Sequence, residues 1–183
     1  MTGAMNQNSF SKKVYGKCIL VGEHAVIRGS PALVYPVREK FLDVSFENSF
    51  QEFSGEFEGQ MKEDLSLVFW GVLEKALKII NKKHSDLHGK LKINNQVPVG
   101  AGLGASATLC VALGRFFQYM EFVAEEELYE FCRQLENLFH GESSGVDIAS
   151  TLTGEPIQFQ RPHQIEKLNL QNAKWRPNLY LTN

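Results

Sequence analysis

Hydrophobic residues recur at two spacings along the chain, and each spacing predicts a different secondary structure. In the segment FLDVSFE (41–47), Leu42, Val44 and Phe46 alternate with positions that include Asp43 and Ser45, the period of a half-buried strand. Between residues 61 and 83 the apolar side chains instead follow one helix face, at Leu65, Val68, Phe69, Val72, Ala76, Ile79 and Ile80. The chain therefore mixes strands and helices.

The remaining segments give an irregular order of elements. Runs of β-branched and aromatic residues predict further strands in KKVYGKCILVG (12–22), PALVYPV (31–37), GKLKINNQV (89–97), EPIQFQ (155–160) and NLYLTN (178–183). Helices are predicted from Ala105 to Met120 and from Glu125 to His140, where an acidic start complements the helix dipole. Strands, a helix, a strand, two helices and strands predict an α+β fold, not a regularly alternating doubly wound sheet.

Composition narrows the classes of function. The 183 residues are 43% hydrophobic and carry a net charge of -2, which is typical of a soluble globular protein and excludes a strongly basic nucleic-acid or membrane patch. No apolar segment has the length of a membrane span. Cys18, Cys110 and Cys132 are odd in number and have apolar neighbours, which favours reduced thiols and a cytoplasmic location. The first ten residues are predicted to form a flexible tail.

The segment PVGAGLGASAT (98–108) is a candidate anion site. A predicted strand runs into Gly100, Gly102 and Gly104, and a predicted helix follows. Glycines let the backbone approach a ligand closely, and the free N–H groups of a helix N-terminus favour negative charge. The loop fits neither a Walker A motif nor the glycine pattern of a dinucleotide-binding turn. The alternative is a strand-to-helix turn without a ligand.

Two other segments place polar residues where loops can bring them together. Lys17, Glu23 and His24 lie where the first strand ends in a glycine-bounded loop, and Glu136 and Asp147 flank a Ser-Ser-Gly turn. Four of them have a structural alternative. Lys17 could be a solvated strand lysine, His24 a structural hydrogen-bonding residue, Glu136 an exposed helix residue and Asp147 a helix cap. Ser106 could likewise only cap a helix. The aromatic pairs 69–70 and 116–117 are predicted to lie in the core, not to stack on a base.

Taken together, three segments resemble the motifs of the GHMP kinase family, and of its mevalonate kinase branch in particular. GKCILVGEHAVIRGSPAL (16–33) resembles the first motif, PVGAGLGASAT (98–108) the second, and ENLFHGESSGVD (136–147) a mevalonate kinase segment. They occur in the family's order. The resemblance implies the ribosomal protein S5 domain 2-like fold of the family's N-terminal domain, in which a mixed sheet with a left-handed βαβ crossover packs against helices.

The resemblance also implies roles for residues that match the motifs. Asp147 would be the catalytic aspartate that orients the acceptor hydroxyl, and Lys17 the lysine beside it and the transferred phosphate. Glu23 and His24 would line the acceptor pocket. Ser106 and Glu136 would hold Mg²⁺, which prefers hard oxygen donors. The nucleotide loop would bind the phosphates of ATP through Pro98, Gly100, Ala101, Gly102, Leu103, Gly104, Ala105 and Ser106.

Several departures from the family pattern bear on these expectations. Ala105 stands where the loop usually has its first serine, and Ser143 replaces a proline, which is expected to loosen the turn before Asp147. No third glycine-rich motif follows Asp147. We therefore expect an ATP-binding domain over residues 11–176 and the start of a C-terminal domain over residues 177–183, with a separate or missing C-terminal half as a partner and little activity of this chain alone.

The expected activity is ATP- and Mg²⁺-dependent phosphorylation of a small-molecule alcohol, with mevalonate as the favoured acceptor and 5-phosphomevalonate, an isoprenoid precursor, as the product. Another GHMP kinase, acting on phosphomevalonate, galactose or a sugar phosphate, is the nearer alternative. A non-catalytic nucleotide-binding or interaction module is the other. Neither nucleic acid nor membrane is an expected partner. The sequence does not decide whether the protein is a monomer or a homodimer.

Overall fold

A mixed six-stranded sheet covered by helices forms the protein in a computed structural model that describes residues 9–162 and 164–169. The strands are β1 (Ser9–Val21), β2 (Ala32–Glu52), β3 (Ser54–Gly59), β4 (His88–Asn95), β5 (Ile157–Gln160) and β6 (Gln164–Lys167). The α-helices are α1 (Lys62–Ile79), α2 (Ala105–Tyr119), α3 (Leu128–His140) and α4 (Val146–Thr153), with short 3-10 turns at Val26–Arg28 and His84–Asp86. The predicted α+β class is confirmed.

Part of the sequence prediction lies outside the described residues. The predicted strand NLYLTN and most of the predicted tail belong to this part. The proposed domain borders after residues 10 and 176 therefore stay predictions.

Strand β2 is the axis of the sheet. It pairs along one edge with β1, while its other edge pairs with β4 near residues 42–52 and with β5 at residues 32–34. Two separate strands were expected here, and that expectation is wrong. Residues 38–40 include no turn-forming residue, so β2 continues through them. They form a bulge of β2 between Val37, which pairs with Gly16, and Phe41, which pairs with Tyr15.

A parallel βαβ unit forms one end of the sheet. Strands β3 and β4 run parallel, and α1 connects them. The sequence did not predict β3, because SGEFEG is short, glycine-bounded and half polar. The predicted helix 61–83 is confirmed as α1, which buries Leu65, Phe69, Val72, Leu73, Ala76 and Leu77. The left hand implied for this crossover stays a prediction.

Two hydrophobic clusters stabilise the fold. The larger one joins α1, α2 and α3 to the sheet, and the smaller one joins the start of β2 to α4 and β5. Phe69, Phe116 and Phe117 are fully buried in the larger cluster, and Trp70 packs against that cluster, which confirms the predicted core role of both aromatic pairs. Burial raises the pKa of the Cys110 and Cys132 thiols well above the usual range, so both stay protonated. Cys18 is half-buried and is also free.

Helix α4 and strand β6 were not predicted as elements. VDIASTLT has only eight residues, too few to display a helical period clearly. It is helical because it packs against α2, α3 and the sheet, burying Val146, Ile148 and Ala149. Among the helices of the described residues, none is long and apolar enough to cross a membrane.

Candidate active site

A cleft of about 460 Å³ brings the three sequence motifs together. The glycine loop supplies much of the lining. The other lining residues come from β1 and the segment after it, the first turns of α1, the end of β4, and α2, α3 and α4. Predicted site residues in the lining are Lys17, Glu23, Pro98, Gly100, Gly102, Leu103, Gly104, Ala105, Ser106 and Asp147. The candidate residues are thus neighbours in space although they span most of the chain.

The start of the glycine loop is fixed by a buried asparagine. Asn95 ends β4 with 2% of its surface exposed. Its side-chain amide donates to the Val97 carbonyl at 3.0 Å and its oxygen accepts the Val97 N–H at 3.0 Å. A further bond reaches the Gln60 carbonyl at 3.3 Å. One side chain therefore satisfies both the N–H and the carbonyl group of Val97, just before the loop.

The loop conformation requires glycine. Gly100, Gly102 and Gly104 have φ of 79°, 71° and 74°, where a Cβ is unfavourable. A Cβ on Gly100 or Gly102 would point into open space, whereas one on Gly104 would lie 2.9 Å from Cγ of Lys17. The first two glycines therefore leave bare backbone accessible to a ligand, and Gly104 makes room for the lysine stem.

Helix α2 begins directly after this loop. Gly104 is its N-cap residue, and no side chain caps the helix. The positive end of the helix, with Ala105 and Ser106, lies in the cleft lining. The alternative of Ser106 as a capping residue is not realised. A helix N-terminus behind a loop of accessible N–H groups is a favourable site for phosphate.

A buried ion pair lies next to the loop. Lys17 Nζ is 2.9 Å from Asp147 Oδ2, and the two side chains are 6% and 22% exposed. The Lys17 N–H also donates to the Leu103 carbonyl at 3.0 Å, which ties β1 to the glycine loop. Lys17 is thus not a solvated strand lysine. Asp147 lies in the first turn of α4, whose N-cap is Gly145, so it is not a capping residue.

Glu136 lies in α3 with only 2% of its surface exposed. Burial raises its pKa to about 7, an effect that the Ser143 hydrogen bond opposes and the negative charge of Asp147 strengthens. One carboxylate oxygen, Oε2, accepts a hydrogen bond from the Ser143 hydroxyl. The other, Oε1, is buried and has no hydrogen-bond partner in the part of the chain that the structure describes. The alternative of an exposed helix glutamate is wrong.

The oxygen donors of this site fit Mg²⁺, but they are too few to bind the ion without water or phosphate oxygens. No group of three or more His, Cys, Asp or Glu side chains able to hold a metal occurs within residues 9–162 and 164–169. Mg²⁺, however, usually takes one or two carboxylates and completes its shell with water and substrate phosphates. The unpartnered buried oxygen of Glu136 is the kind of donor such an ion satisfies. The residues present therefore fit a cation that arrives with a polyphosphate.

Some predicted residues lie outside the lining. Ala101 is in the loop but does not line the cleft, and His24 is exposed next to Glu23. Glu136 also lies outside the lining, although the charges of Asp147 and Lys17 act on its carboxyl.

The sequence also missed part of the lining. Apolar and polar side chains from α1, the loop, α2 and α3 complete it, namely Asp64, Leu65, Val68, Asn95, Val99, Leu109 and Phe139. Helical periodicity marks Leu65 and Val68 only as core positions, because a residue that lines a cleft has the same apolar spacing as one that packs inside. A polar Asn95 at the end of a strand, just before the glycines, was the one signal available.

Comparison with known proteins gives consistent matches. Residues 71–155 match the family model described as GHMP kinases N terminal domain. The chain is similar to the mevalonate kinase of Pyrococcus furiosus, with 32% identity over 172 residues, covering 79% of this chain and 50% of that protein. The chain spans about half the length of the curated relatives it matches.

Two solved structures share the fold. The mevalonate kinase of methicillin-resistant Staphylococcus aureus MRSA252 aligns with a TM-score of 0.63 and 26% identity, over 88% of this chain and 55% of that one. The L. major mevalonate kinase in complex with R-mevalonate aligns with a TM-score of 0.65 and 24% identity, over 84% and 49%. The second likeness concerns the fold alone.

Proposed function

We propose that this chain, whose residues 71–155 match the GHMP kinases N terminal domain, serves the transfer of the ATP γ-phosphate to the hydroxyl of mevalonate. The proposal rests first on the ion pair between Lys17 and Asp147, which lies next to the glycine loop in the same cleft. Mevalonate as the acceptor is supported by the similarity to the mevalonate kinase of Pyrococcus furiosus. A cytoplasmic location belongs to the same proposal, supported by the three free cysteines, Cys18, Cys110 and Cys132.

The glycine loop would bind the nucleotide phosphates. Bare backbone at Gly100 and Gly102 lets the polyphosphate approach within hydrogen-bond distance of N–H groups, and the N-terminus of α2 adds a positive potential. Apolar side chains of α1, the loop and α3, including Val68, Val99 and Phe139, would cover the remainder of the nucleotide. These side chains supply apolar contact area, and Asp64 of α1 adds a negative charge to the lining of the same cleft.

Asp147 would orient the acceptor hydroxyl and receive its proton. Its Oδ2 is held by Lys17, so the carboxylate has a fixed direction before substrate binds. The ammonium group of Lys17 would also stabilise negative charge on the transferred phosphoryl oxygens. Glu23 at the rim of the same cleft would contact the acceptor. Phosphoryl transfer depends mainly on positioning and electrostatic stabilisation, and these groups provide both.

Glu136 and Ser106 would hold the Mg²⁺ that accompanies ATP. When bound, this ion would neutralise charge on the phosphate oxygens and hold them in position. Glu136 supplies a buried carboxylate oxygen, and Ser106 supplies a hydroxyl at the start of α2. Their role is to keep two oxygen donors in place beside the ion pair.

Nucleotide binding is the direct test, because it depends on described residues. Calorimetric titration of the 183-residue protein with ATP and Mg²⁺ should give a saturable signal, which Gly102→Ala should weaken at least tenfold. Incubation with ATP, Mg²⁺ and mevalonate, followed by detection of phosphomevalonate, then tests the chemistry. Galactose and phosphomevalonate as alternative acceptors test specificity. A protein that binds no nucleotide contradicts the proposal. ATP binding without turnover agrees with the expectation that this chain alone has little activity, whereas robust turnover would contradict that expectation.

A further inference from the structure

Ser143 is a buried serine at the junction of α3 and α4. It is 4% exposed and lies in the turn between His140 and Val146, the residues that end α3 and begin α4. Its hydroxyl donates to Glu136 Oε2 and accepts the Gly145 N–H at 3.0 Å. Its own N–H donates to Asn137 Oδ1 at 2.8 Å. Three hydrogen bonds thus fix one residue to both helices.

These bonds connect the two carboxylates of the site. Glu136 lies on α3, and Gly145 is the N-cap of the helix that carries Asp147. The hydroxyl of Ser143 lies between them and makes one bond to each side. The turn is therefore held by three hydrogen bonds of Ser143, and its expected loosening relative to a proline stays a prediction.

The same bonds leave Glu136 with one engaged oxygen and one available oxygen. Oε2 is occupied by Ser143, whereas Oε1 is buried without a hydrogen-bond partner among the described residues. A carboxylate held by one oxygen keeps a fixed orientation, so the other oxygen is directed at one place. The geometry therefore fits a single-oxygen ligand whose direction is set by its neighbour.

We propose that Ser143 is a positioning residue that orients Glu136 for Mg²⁺ and fixes α4 relative to it. The inference rests on the proposed function, in which Glu136 holds the ion that accompanies ATP. The proline that usually occupies this position in the resembling motif has neither a hydroxyl nor an N–H, so it can make none of the three bonds. In this chain a hydroxyl that donates and accepts at once links the cation-binding carboxylate to the helix of Asp147.

The test measures how strongly Mg²⁺ improves nucleotide binding, without catalysis. Calorimetry gives the affinity of the 183-residue protein for a non-hydrolysable ATP analogue with Mg²⁺ and with EDTA, and the ratio of the two affinities is the readout. We expect Ser143→Ala to reduce this ratio by about tenfold, the effect typical of residues that support a metal ligand. Ser143→Thr, which keeps the hydroxyl, should retain most of the ratio.

Ser150→Ala is the matched control. Ser150 is also buried, lies in α4, and its hydroxyl has no hydrogen-bond partner in the described part of the chain, so its removal should leave the ratio unchanged. In a Glu136→Gln background, Ser143→Ala should have no further effect on the ratio, because both changes act through one carboxylate. This cycle distinguishes positioning of Glu136 from a general loss of stability.

The outcomes separate the two proposals. An unchanged ratio in Ser143→Ala, or an equal loss in the Glu136→Gln background, would overturn the role of Ser143 and leave the proposed function standing. A wild-type protein that binds no nucleotide would overturn both. If Ser143→Ala does not fold, Ser143→Cys replaces it, since the thiol keeps the volume and is only a weak donor.

Discussion

Lys17 Nζ lies 2.9 Å from Asp147 Oδ2, and the lysine is the more buried partner of this pair. The pair joins the first strand to the fourth helix, two elements that are far apart in sequence. Because the lysine side chain is only 6% exposed, its charge depends on the aspartate for stabilisation. The ion pair therefore contributes to the fold as well as to the proposed chemistry.

Asp147→Asn should destabilise the protein more than Lys17→Met. The first change leaves a buried ammonium without a counter-charge, at a cost of about 2 kcal/mol after allowing for solvent screening. The second leaves a carboxylate that is 22% exposed and can be partly hydrated. Urea unfolding at pH 7.5 measures both. The double variant should recover part of the loss, and an Asp147→Asn protein as stable as wild type would contradict the prediction.

Gly104→Ala should disturb the ion pair, and Gly102→Ala should not. Both positions have positive φ, so each alanine costs about 1 kcal/mol in backbone strain. Only at position 104 would the Cβ also meet the Lys17 side chain, at 2.9 Å. Unfolding curves should therefore show the larger loss for Gly104→Ala. Equal losses in the two variants would mean that the lysine moves aside without cost.

Asn95→Ala should destabilise the start of the glycine loop by about 2 kcal/mol, because it leaves buried backbone groups at Val97 without a partner. Nucleotide affinity should fall with it. Asn94→Ala is the control on the same strand, since the Asn94 side chain accepts from Gln96 in a less buried position. Thermal unfolding and ATP titration compare the two, and similar effects would show that position 95 has no special role.

Glu136 should make the stability of the metal-free protein fall as pH rises. Its pKa is about 7 in the folded state against 4.5 for an ordinary glutamate, so its neutral form is the one that folding favours. The contribution is complete below pH 4.5 and is lost as pH rises through 7. Glu136→Gln, which is always neutral, should gain about 2 kcal/mol over wild type between pH 5 and pH 8.

Urea unfolding of both proteins in EDTA provides the measurement. Adding Mg²⁺ and ATP should restore the stability of wild type at pH 8, because the bound cation takes the place of the proton. Glu136→Gln should respond less. Parallel pH profiles for the two proteins would contradict the shifted pKa.

Secondary-structure elements with a clear hydrophobic period could be predicted from the sequence. Elements that are stabilised mainly by tertiary packing could not. Helices α1 and α3 follow a continuous apolar spacing and were predicted within a few residues. Strand β3 and helix α4 are short, and each is stabilised by the element it packs against. The single strand β2 was divided in two because polar residues 38–40 interrupt its pattern, although its pairing with β1 resumes beyond them.

At the site, residue types were predictable and burial was not. The sequence placed Lys17, the glycine loop and Asp147 near loops, and the structure brings them to one cleft. The burial of Glu136 could not be read from α3, since a charged residue on an amphipathic helix is usually exposed. Nor did the sequence indicate the bonds of Ser143, because the network depends on how the turn after α3 folds back.

Helix α4 contributes side chains to both hydrophobic clusters. Ile148 packs into the larger cluster, while Val146 and Ala149 pack into the smaller one, so Asp147 stands on the seam between them. The position of this carboxylate therefore depends on how both clusters pack. A substitution that shifts one cluster relative to the other would change the distance between Asp147 and Lys17 before it unfolds the protein. A packing defect far from the cleft would therefore reduce the proposed activity first.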